Sequence, residues 1–177
     1  MQIYRHVSVV NATFAWLIVA GAFARIRALA YELTKSFPYA LNRVGVRMGE
    51  LFSRRLAAYG LTLPMYRVLA ALRQRAPQRL GELGEIVSVE PSTLSRLIGT
   101  MSRARLVTRA RPEENARTVA IELTAKGRAL VEKIIPIAMK FEEVGIQSFT
   151  REEAEWLRQA LQQVYRNLDA LDTETLS

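Results

Sequence analysis

The hydrophobic pattern of this chain changes its period once, after Leu106, and that change limits the folds open to it. Before Leu106, apolar residues recur every three or four positions, which is typical of amphipathic helices. Two short alternating, β-branched segments follow, LVTRA (106–110) and TVAIELT (118–124), and helical spacing then resumes. The polar loop between them has the length of a hairpin connection. The pattern predicts a mainly α chain with one small β-hairpin, an α+β class.

Four helices are predicted before the hairpin. The first, within PYALNRVGVRMGELFSRRLAAYG (38–60), ends at Gly60. The second starts with Thr62 as N-cap and Pro64 in its first turn. The inward positions of the two short helices that follow are Leu80, Leu83, Ile86 and Val87 in one, and Leu94, Leu97, Ile98 and Met101 in the other. Gly84 is expected to let these two helices approach closely.

Two long helices are predicted after the hairpin. The segment 124–149 forms one, with a kink at Pro136. The other opens with a capping box from Thr150 to Glu153. It carries an apolar stripe along its length, formed by residues 156, 157, 160, 161, 164, 168 and 171.

Three short helices followed by a hairpin predict a winged helix-turn-helix, in which the third helix lies in the major groove of DNA. With its inward positions buried, Ser92, Thr93, Ser95 and Arg96 face outward and are the candidate base and phosphate contacts. Arg103, near the end of the same helix, joins this set.

The hairpin tip, RARPEENART (109–118), is the second candidate DNA contact. Arg109 and Arg111 lie at its base, where they can reach the sugar-phosphate backbone. Arg117 lies on its far side, so the arginines can straddle that backbone while the tip enters the adjacent minor groove, whose narrow negative field favours arginine. A solvated charged turn is the alternative interpretation of this loop.

The long helices carry more apolar surface than a domain of about sixty residues can cover. Packing them across a two-fold axis predicts a homodimer. Such a dimer would place two recognition helices about one DNA turn apart, which matches a pseudo-palindromic operator. A monomeric helical cap is the alternative.

Composition excludes several kinds of site. The chain has no cysteine and a single histidine, His6, so thiolate zinc sites and histidine clusters are excluded. Both absences count against a metalloenzyme and against a Ser-His or Cys-His hydrolase. No metal or cofactor is predicted. Glutamates of the last two helices (142, 143, 152, 153 and 155) occupy positions typical of a solvated face, so no enzyme activity is predicted.

Charge is distributed unevenly along the chain. Residues 1–63 carry eight Lys/Arg and two acids, residues 64–128 twelve and six, and residues 129–177 five and nine, which gives net charges of +6, +6 and −4. Twenty-one of the 25 cations are arginine, the residue best suited to phosphate recognition. A basic middle segment beside an acidic end indicates one surface that faces a polyanion.

The uncharged stretch VSVVNATFAWLIVAGAFA (7–24) allows three interpretations. It is an extra helix or translated upstream sequence, a membrane anchor of minimal length, or a signal peptide with AFA (22–24) as its cleavage site. An extra helix or translated upstream sequence is the favoured interpretation, and it predicts a cytoplasmic, nucleoid-associated protein. A membrane-anchored DNA-binding regulator is the alternative.

The order of three segments resembles the MarR family of transcriptional regulators. They are LTLPMYRVLAAL (61–72), GELGEIVSVEPSTLSRLIGTMSRARLVTR (81–109) and ARTVAIELTAKGRAL (116–130), and the resemblance extends over about residues 38–171. Two positions depart from the family pattern. The resemblance places the minor-groove arginine of the wing at Arg117. Asn115 replaces the aspartate that the family often has two residues before that arginine. Arg105 replaces a glycine, so a left-handed backbone there would cost about 1 kcal/mol, with a phosphate contact as a possible gain.

The resemblance implies a homodimeric, sequence-specific regulator of double-stranded DNA, usually a repressor that a small aromatic or phenolic ligand releases. It places that ligand where the first long helix, the next helix and the helix after the wing meet. The candidate lining residues are Met48, Phe52, Met65, Tyr66 and Phe141. The expected organisation is an N-terminal extension (1–33), a dimerisation region (34–62 and 124–172) and a winged helix-turn-helix (63–123).

Overall fold

The computed structural model of this protein describes residues 31–110 and 120–173. Its elements, after a 3-10 turn at Leu33–Lys35, are α1 (Phe37–Ala57), α2 (Leu63–Gln74), β1 (Gln78–Arg79), α3 (Leu80–Val87), α4 (Pro91–Arg103), β2 (Val107–Ala110), β3 (Ala120–Leu123), α5 (Ala125–Gly145) and α6 (Arg151–Thr173). This mainly helical chain with a small sheet confirms the predicted fold class. The chain forms two compact units, residues 1–48 and 49–177.

The helix ends follow the signals in the sequence. Gly60 adopts a left-handed φ of 67° just beyond α1. The Thr62 hydroxyl accepts a hydrogen bond from the Met65 N–H at 3.4 Å and caps α2. At the start of α6 the capping box is complete: the Thr150 N–H donates to the Glu153 carboxylate at 2.8 Å, and the Glu153 N–H donates to the Thr150 hydroxyl at 3.2 Å.

The sheet has three antiparallel strands in the order β1-β3-β2. The predicted hairpin is present, with Val107 opposite Leu123. Strand β1, which the sequence analysis missed, adds Gln78 opposite Ile121. Gln78 is buried, and its side-chain amide donates to the Ala71 carbonyl at 2.8 Å.

The core of the second unit joins α2, α3 and α4 to α5 and the sheet. Its fully buried side chains include Leu69, Leu83, Leu94, Ile98 and Ile134. The expectation that Ile86 points inward is wrong, because 55% of this residue is exposed. At 100° per residue, Ile86 lies a quarter-turn away from buried Val87, and the short α3 has only one buried face.

The membrane question concerns a segment that the structure does not cover. Across residues 31–110 and 120–173, no helix combines the length and apolarity that crossing a bilayer requires. The apolar stretch 7–24 lies outside the described residues.

Candidate nucleic-acid interface

Helix α4 presents the outward face that the sequence predicts. Leu94, Ile98 and Met101 are fully buried and fix the rotation of the helix on the core. Its first turn starts with Pro91, whose missing N–H needs no partner at that position. The predicted contact residues Ser92, Thr93, Ser95 and Arg96 are all exposed on the free side.

The connection between α3 and α4 contains a left-handed residue at Ser88, with φ 53° and ψ 54°. Gly84 lies under this connection. A Cβ added there would sit 3.6 Å from the Leu94 side chain and from the Val89 carbonyl oxygen. That is ordinary van der Waals contact, so α4 packs closely at this position, as predicted, and alanine would also fit.

Arginines extend the exposed face of α4 toward the hairpin. Arg96 and Arg103, seven residues apart, share one side of the helix, and Arg103 donates to the Thr100 hydroxyl at 3.2 Å. Arg109 is exposed on β2, opposite Ile121. Within residues 31–110 and 120–173, no carboxylate lies within 4 Å of these three guanidinium groups. Carboxylates of the described residues therefore leave the charge of these three arginines unneutralised.

The rest of the predicted wing tip cannot be placed. Arg111 and Arg117, together with Asn115, lie outside the described residues. The predictions for these arginines therefore stay predictions.

The turn from α4 to β2 adopts the left-handed conformation expected at Arg105, with φ 58°. Two hydrogen bonds hold this residue. Its N–H donates to the Ser102 carbonyl at 2.9 Å, and its carbonyl accepts from the Thr124 hydroxyl at 2.6 Å. Arginine thus occupies a conformation that glycine would adopt without steric strain.

Gly127 is the glycine at which the fold allows no side chain. A Cβ there would lie 2.9 Å from the Leu106 carbonyl carbon and closer still to its oxygen. The start of α5 therefore packs directly on the backbone that leads into β2. The segment ARTVAIELTAKGRAL (116–130), one of the three that carry the family resemblance, contains this glycine, but its spacing alone does not predict this packing.

Three of the predicted ligand residues form an aromatic cluster. The Phe52 ring lies 4.9 Å from the Tyr66 ring in an edge-on arrangement and 5.3 Å from the Phe141 ring. Met65 is buried in the same core. Burial raises the pKa of the Tyr66 hydroxyl, and the positive charge of Arg73 opposes that shift. Tyr66 is therefore a protonated hydrogen-bond donor at neutral pH.

Met48 belongs to the first unit and is exposed. It lines an open groove of about 450 Å³ on α1, together with Tyr39, Arg43 and Val44. The Arg43 guanidinium lies 5.7 Å from the centre of the Tyr39 ring. This groove combines apolar and cationic lining.

Exposed apolar side chains concentrate on two stretches of the described residues. On α1 they include Leu41, Val44 and Met48. On α6 they include Trp156, with 68% of its surface exposed, and Tyr165. Aromatic residues of this size are rarely left in solvent.

No metal site is found in the part of the chain that the structure covers. Residues 31–110 and 120–173 contain no group of three or more histidine, cysteine or acidic side chains able to hold a metal ion.

Comparison with known proteins places the chain among bacterial transcriptional regulators. The family model described as transcriptional regulator SarA/Rot matches residues 50–134. The regulator SarZ of Staphylococcus aureus is 30% identical over 122 residues, which are 68% of this chain and 81% of SarZ.

Solved structures show the same fold. A MarR-family transcriptional regulator from Silicibacter pomeroyi has a TM-score of 0.66 at 28% identity, over 82% of this chain and 96% of that one. BpsR of Bordetella bronchiseptica, whose DNA binding is regulated by 6-hydroxynicotinic acid, has a TM-score of 0.69 at 22% identity, over 76% of this chain and 96% of BpsR.

Proposed function

Because the chain belongs to the MarR family of winged helix-turn-helix transcriptional regulators, we propose that it binds a specific double-stranded operator as a homodimer and represses transcription there. Helix α4 is the observation that carries this proposal. Its buried residues fix it to the core and leave three small hydroxyl side chains and Arg96 free at the end that would enter the major groove.

In this proposal Arg96 recognises a base edge, and Arg103 and Arg109 contact phosphates. A bidentate arginine–guanine pair contributes about 1–3 kcal/mol of discrimination. We expect Arg96→Ala to weaken binding to the operator by that amount and to weaken binding to a scrambled duplex much less. The outer residues Ser92, Thr93 and Ser95 are proposed to pack against the same base pairs. Arg111 and Arg117 are proposed for the phosphates and the minor groove beside the wing.

The test is a fluorescence anisotropy titration of the full chain against DNA from upstream of its own gene and against a scrambled duplex, at one fixed salt concentration. Lys133→Ala, which removes an exposed cation from α5, is the matched control and should bind like the wild type. Equal affinity of the wild type for both duplexes would exclude a sequence-specific regulator.

The homodimer is proposed to bury the exposed faces of α1 and α6. Trp156→Glu should place a charge in that interface and shift the protein from dimer to monomer in size-exclusion chromatography with light scattering. Ile86→Glu is the matched control, because Ile86 is an exposed apolar residue outside those faces. A Trp156→Glu protein that stays dimeric would contradict this assignment of the interface.

An aromatic effector is proposed to bind beside Phe52, Tyr66 and Phe141, with Met65 in the same core. The aromatic cluster and the regulation of BpsR by a hydroxylated aromatic acid support this. Met48 is proposed as a contact only on the family resemblance. The effector would favour a dimer whose recognition helices no longer match the spacing of the half-sites.

A panel of hydroxylated aromatic acids that includes 6-hydroxynicotinic acid tests the effector proposal by displacement of labelled operator. Tyr66→Phe retains the ring and removes the hydroxyl donor. It should raise the concentration needed for release without changing operator affinity. If no compound in the panel releases DNA, the proposed aromatic effector is wrong.

A further inference from the structure

Arg105 adopts a strained conformation that this fold holds firmly. Besides the bonds to Ser102 and Thr124, the following residue is also anchored, since the Leu106 N–H donates to the Met101 carbonyl at 2.9 Å. The backbone therefore cannot relax to a conformation that L residues prefer. Strained residues of this kind concentrate at functional sites, and here the strain accompanies an exposed guanidinium group.

Two further cations lie beside Arg105. Arg103 precedes it by two residues, and the Lys126 ammonium donates to the carbonyl of Ala104, between them, at 2.9 Å. All three side chains are exposed. We call Arg103, Arg105 and Lys126 the turn cluster. Among the described residues, no carboxylate lies within 4 Å of any of its three charges.

The turn cluster keeps hydrogen-bond donors that the bonds of the described residues do not use. The ammonium of Lys126 keeps two N–H donors beyond the one it gives to Ala104. The guanidinium of Arg105 has no acceptor among its described neighbours. Both groups can therefore donate to phosphate oxygens without breaking a bond of the fold.

In chain order Arg105 lies between the two elements assigned to DNA, after the end of α4 and before β2, and Lys126 is bonded to the same turn. Helix α4 would enter the major groove by its first turn, and β2 leads from the cluster to the wing tip. A sugar-phosphate strand separates a major groove from the adjacent minor groove. We propose that Arg105 and Lys126, with Arg103, bind the phosphates of that strand and so form a third DNA contact between the recognition helix and the wing. This inference rests on the proposed function.

Phosphate contacts position a protein on DNA and carry no sequence information. Each one releases counterions, and the slope of log K against log salt changes by about 0.9 per contact in B-DNA. The proposed homodimer carries each cation twice, so loss of either cation should reduce the slope by about 1.8, two contacts' worth. At 0.1 M salt it should weaken binding roughly sixtyfold, by the same factor on the operator and on a scrambled duplex.

The experiment measures anisotropy titrations of the full chain on both duplexes at several salt concentrations. Arg105→Asn removes the charge and keeps a residue that tolerates a positive φ. Arg105→Gly removes the charge and also the strain, and its thermal unfolding is measured beside its affinity so that loss of a contact is separated from unfolding. Lys126→Gln tests the second cation, and Lys133→Gln, outside the cluster, is the matched control.

Unchanged affinity and salt slope in both Arg105 variants would overturn the proposal. A loss confined to the operator, with an unchanged slope, would also overturn it, because that result indicates base recognition. If the wild type binds both duplexes equally, the proposed regulator fails, while the slopes of the variants still decide the role of the turn cluster. If the wild type binds neither duplex, both proposals fail.

Discussion

Gly127, in the first turn of α5, is a position where one added methyl group should be costly. The Leu106 carbonyl, which a Cβ there would strike, is held in place by Thr124. It accepts from the Thr124 N–H at 3.1 Å, and the Thr124 hydroxyl, whose one proton is shared with the nearer Arg105 carbonyl, lies 3.2 Å away. The same hydroxyl accepts from the Gly127 N–H at 3.0 Å and caps α5. The carbonyl therefore cannot retreat without breaking the cap.

The expected cost of Gly127→Ala combines three effects. Overpacking costs about 1–3 kcal/mol, and the upper end applies because the struck atom belongs to backbone. Displacement of Thr124 adds about 1 kcal/mol for the lost N-cap, and the higher helix propensity of alanine returns about 1 kcal/mol. The free energy of unfolding should fall by about 3 kcal/mol, and Tm by about 6–12 °C in a chain of this size.

Urea denaturation followed by circular dichroism measures this change, at one protein concentration because the stability of a dimer depends on concentration. Gly99→Ala is the control: Gly99 lies within α4, and a Cβ there meets nothing within 4 Å. That substitution should stabilise the protein by about 0.5–1 kcal/mol. A Gly127→Ala protein as stable as the wild type would refute the steric argument.

For three further substitutions, the direction of the effect on stability can be predicted. The hydrogen bond from Arg73 lowers the pKa of Glu132, so this exposed pair contributes a small stability above the ordinary glutamate pKa of about 4.3. That contribution is lost as the pH falls through the lowered pKa of Glu132. Glu132→Gln should therefore make Tm fall less steeply at acid pH. A plot of Tm against pH that matches the wild type would contradict this. Thr62→Ala removes the cap of α2 and should lower the free energy of unfolding by about 1 kcal/mol in urea titrations; no loss would show that the bond at 3.4 Å contributes nothing. Arg105→Gly relieves about 1–2 kcal/mol of backbone strain, while the conformational entropy of glycine costs about 0.5–1 kcal/mol. The free energy of unfolding, measured by thermal denaturation, should therefore rise by about 0.5–1 kcal/mol. A fall would mean that the Arg105 side chain stabilises the fold.

Local signals in the sequence predicted most of the helical fold. The hydrophobic spacing identified the buried side of α4, since Leu94, Ile98 and Met101 recur at helical intervals and all three are buried. The caps at Thr62 and Thr150 were predictable because a capping residue binds a backbone group only three positions away. The outward direction of Arg96 followed from the same helical geometry.

Features that depend on distant parts of the chain were not predictable. Strand β1 has two residues, and it exists because Gln78 and Arg79 pair with β3 some forty residues later. No periodicity can be read from two positions. Ile86 is apolar, but a helix of two turns buries only one face, and that face is occupied by Leu83 and Val87. Gly84 and Gly127 look alike in the sequence, but only the second packs against a backbone carbonyl of another element.

The same contacts that make Gly127 irreplaceable also join the DNA-binding elements to α5. Thr124 donates its hydroxyl to Arg105 and its N–H to Leu106, and Lys126 binds the end of α4 through Ala104. Backbone carbonyls accept all of these bonds, so α5 cannot shift at its start without moving the end of α4 and the base of β2. Phe141, of the proposed effector site, lies on that same helix. In the proposed mechanism, a displacement of α5 by the effector therefore reaches the recognition helix through this locked turn, and variants that loosen it should uncouple effector binding from DNA release.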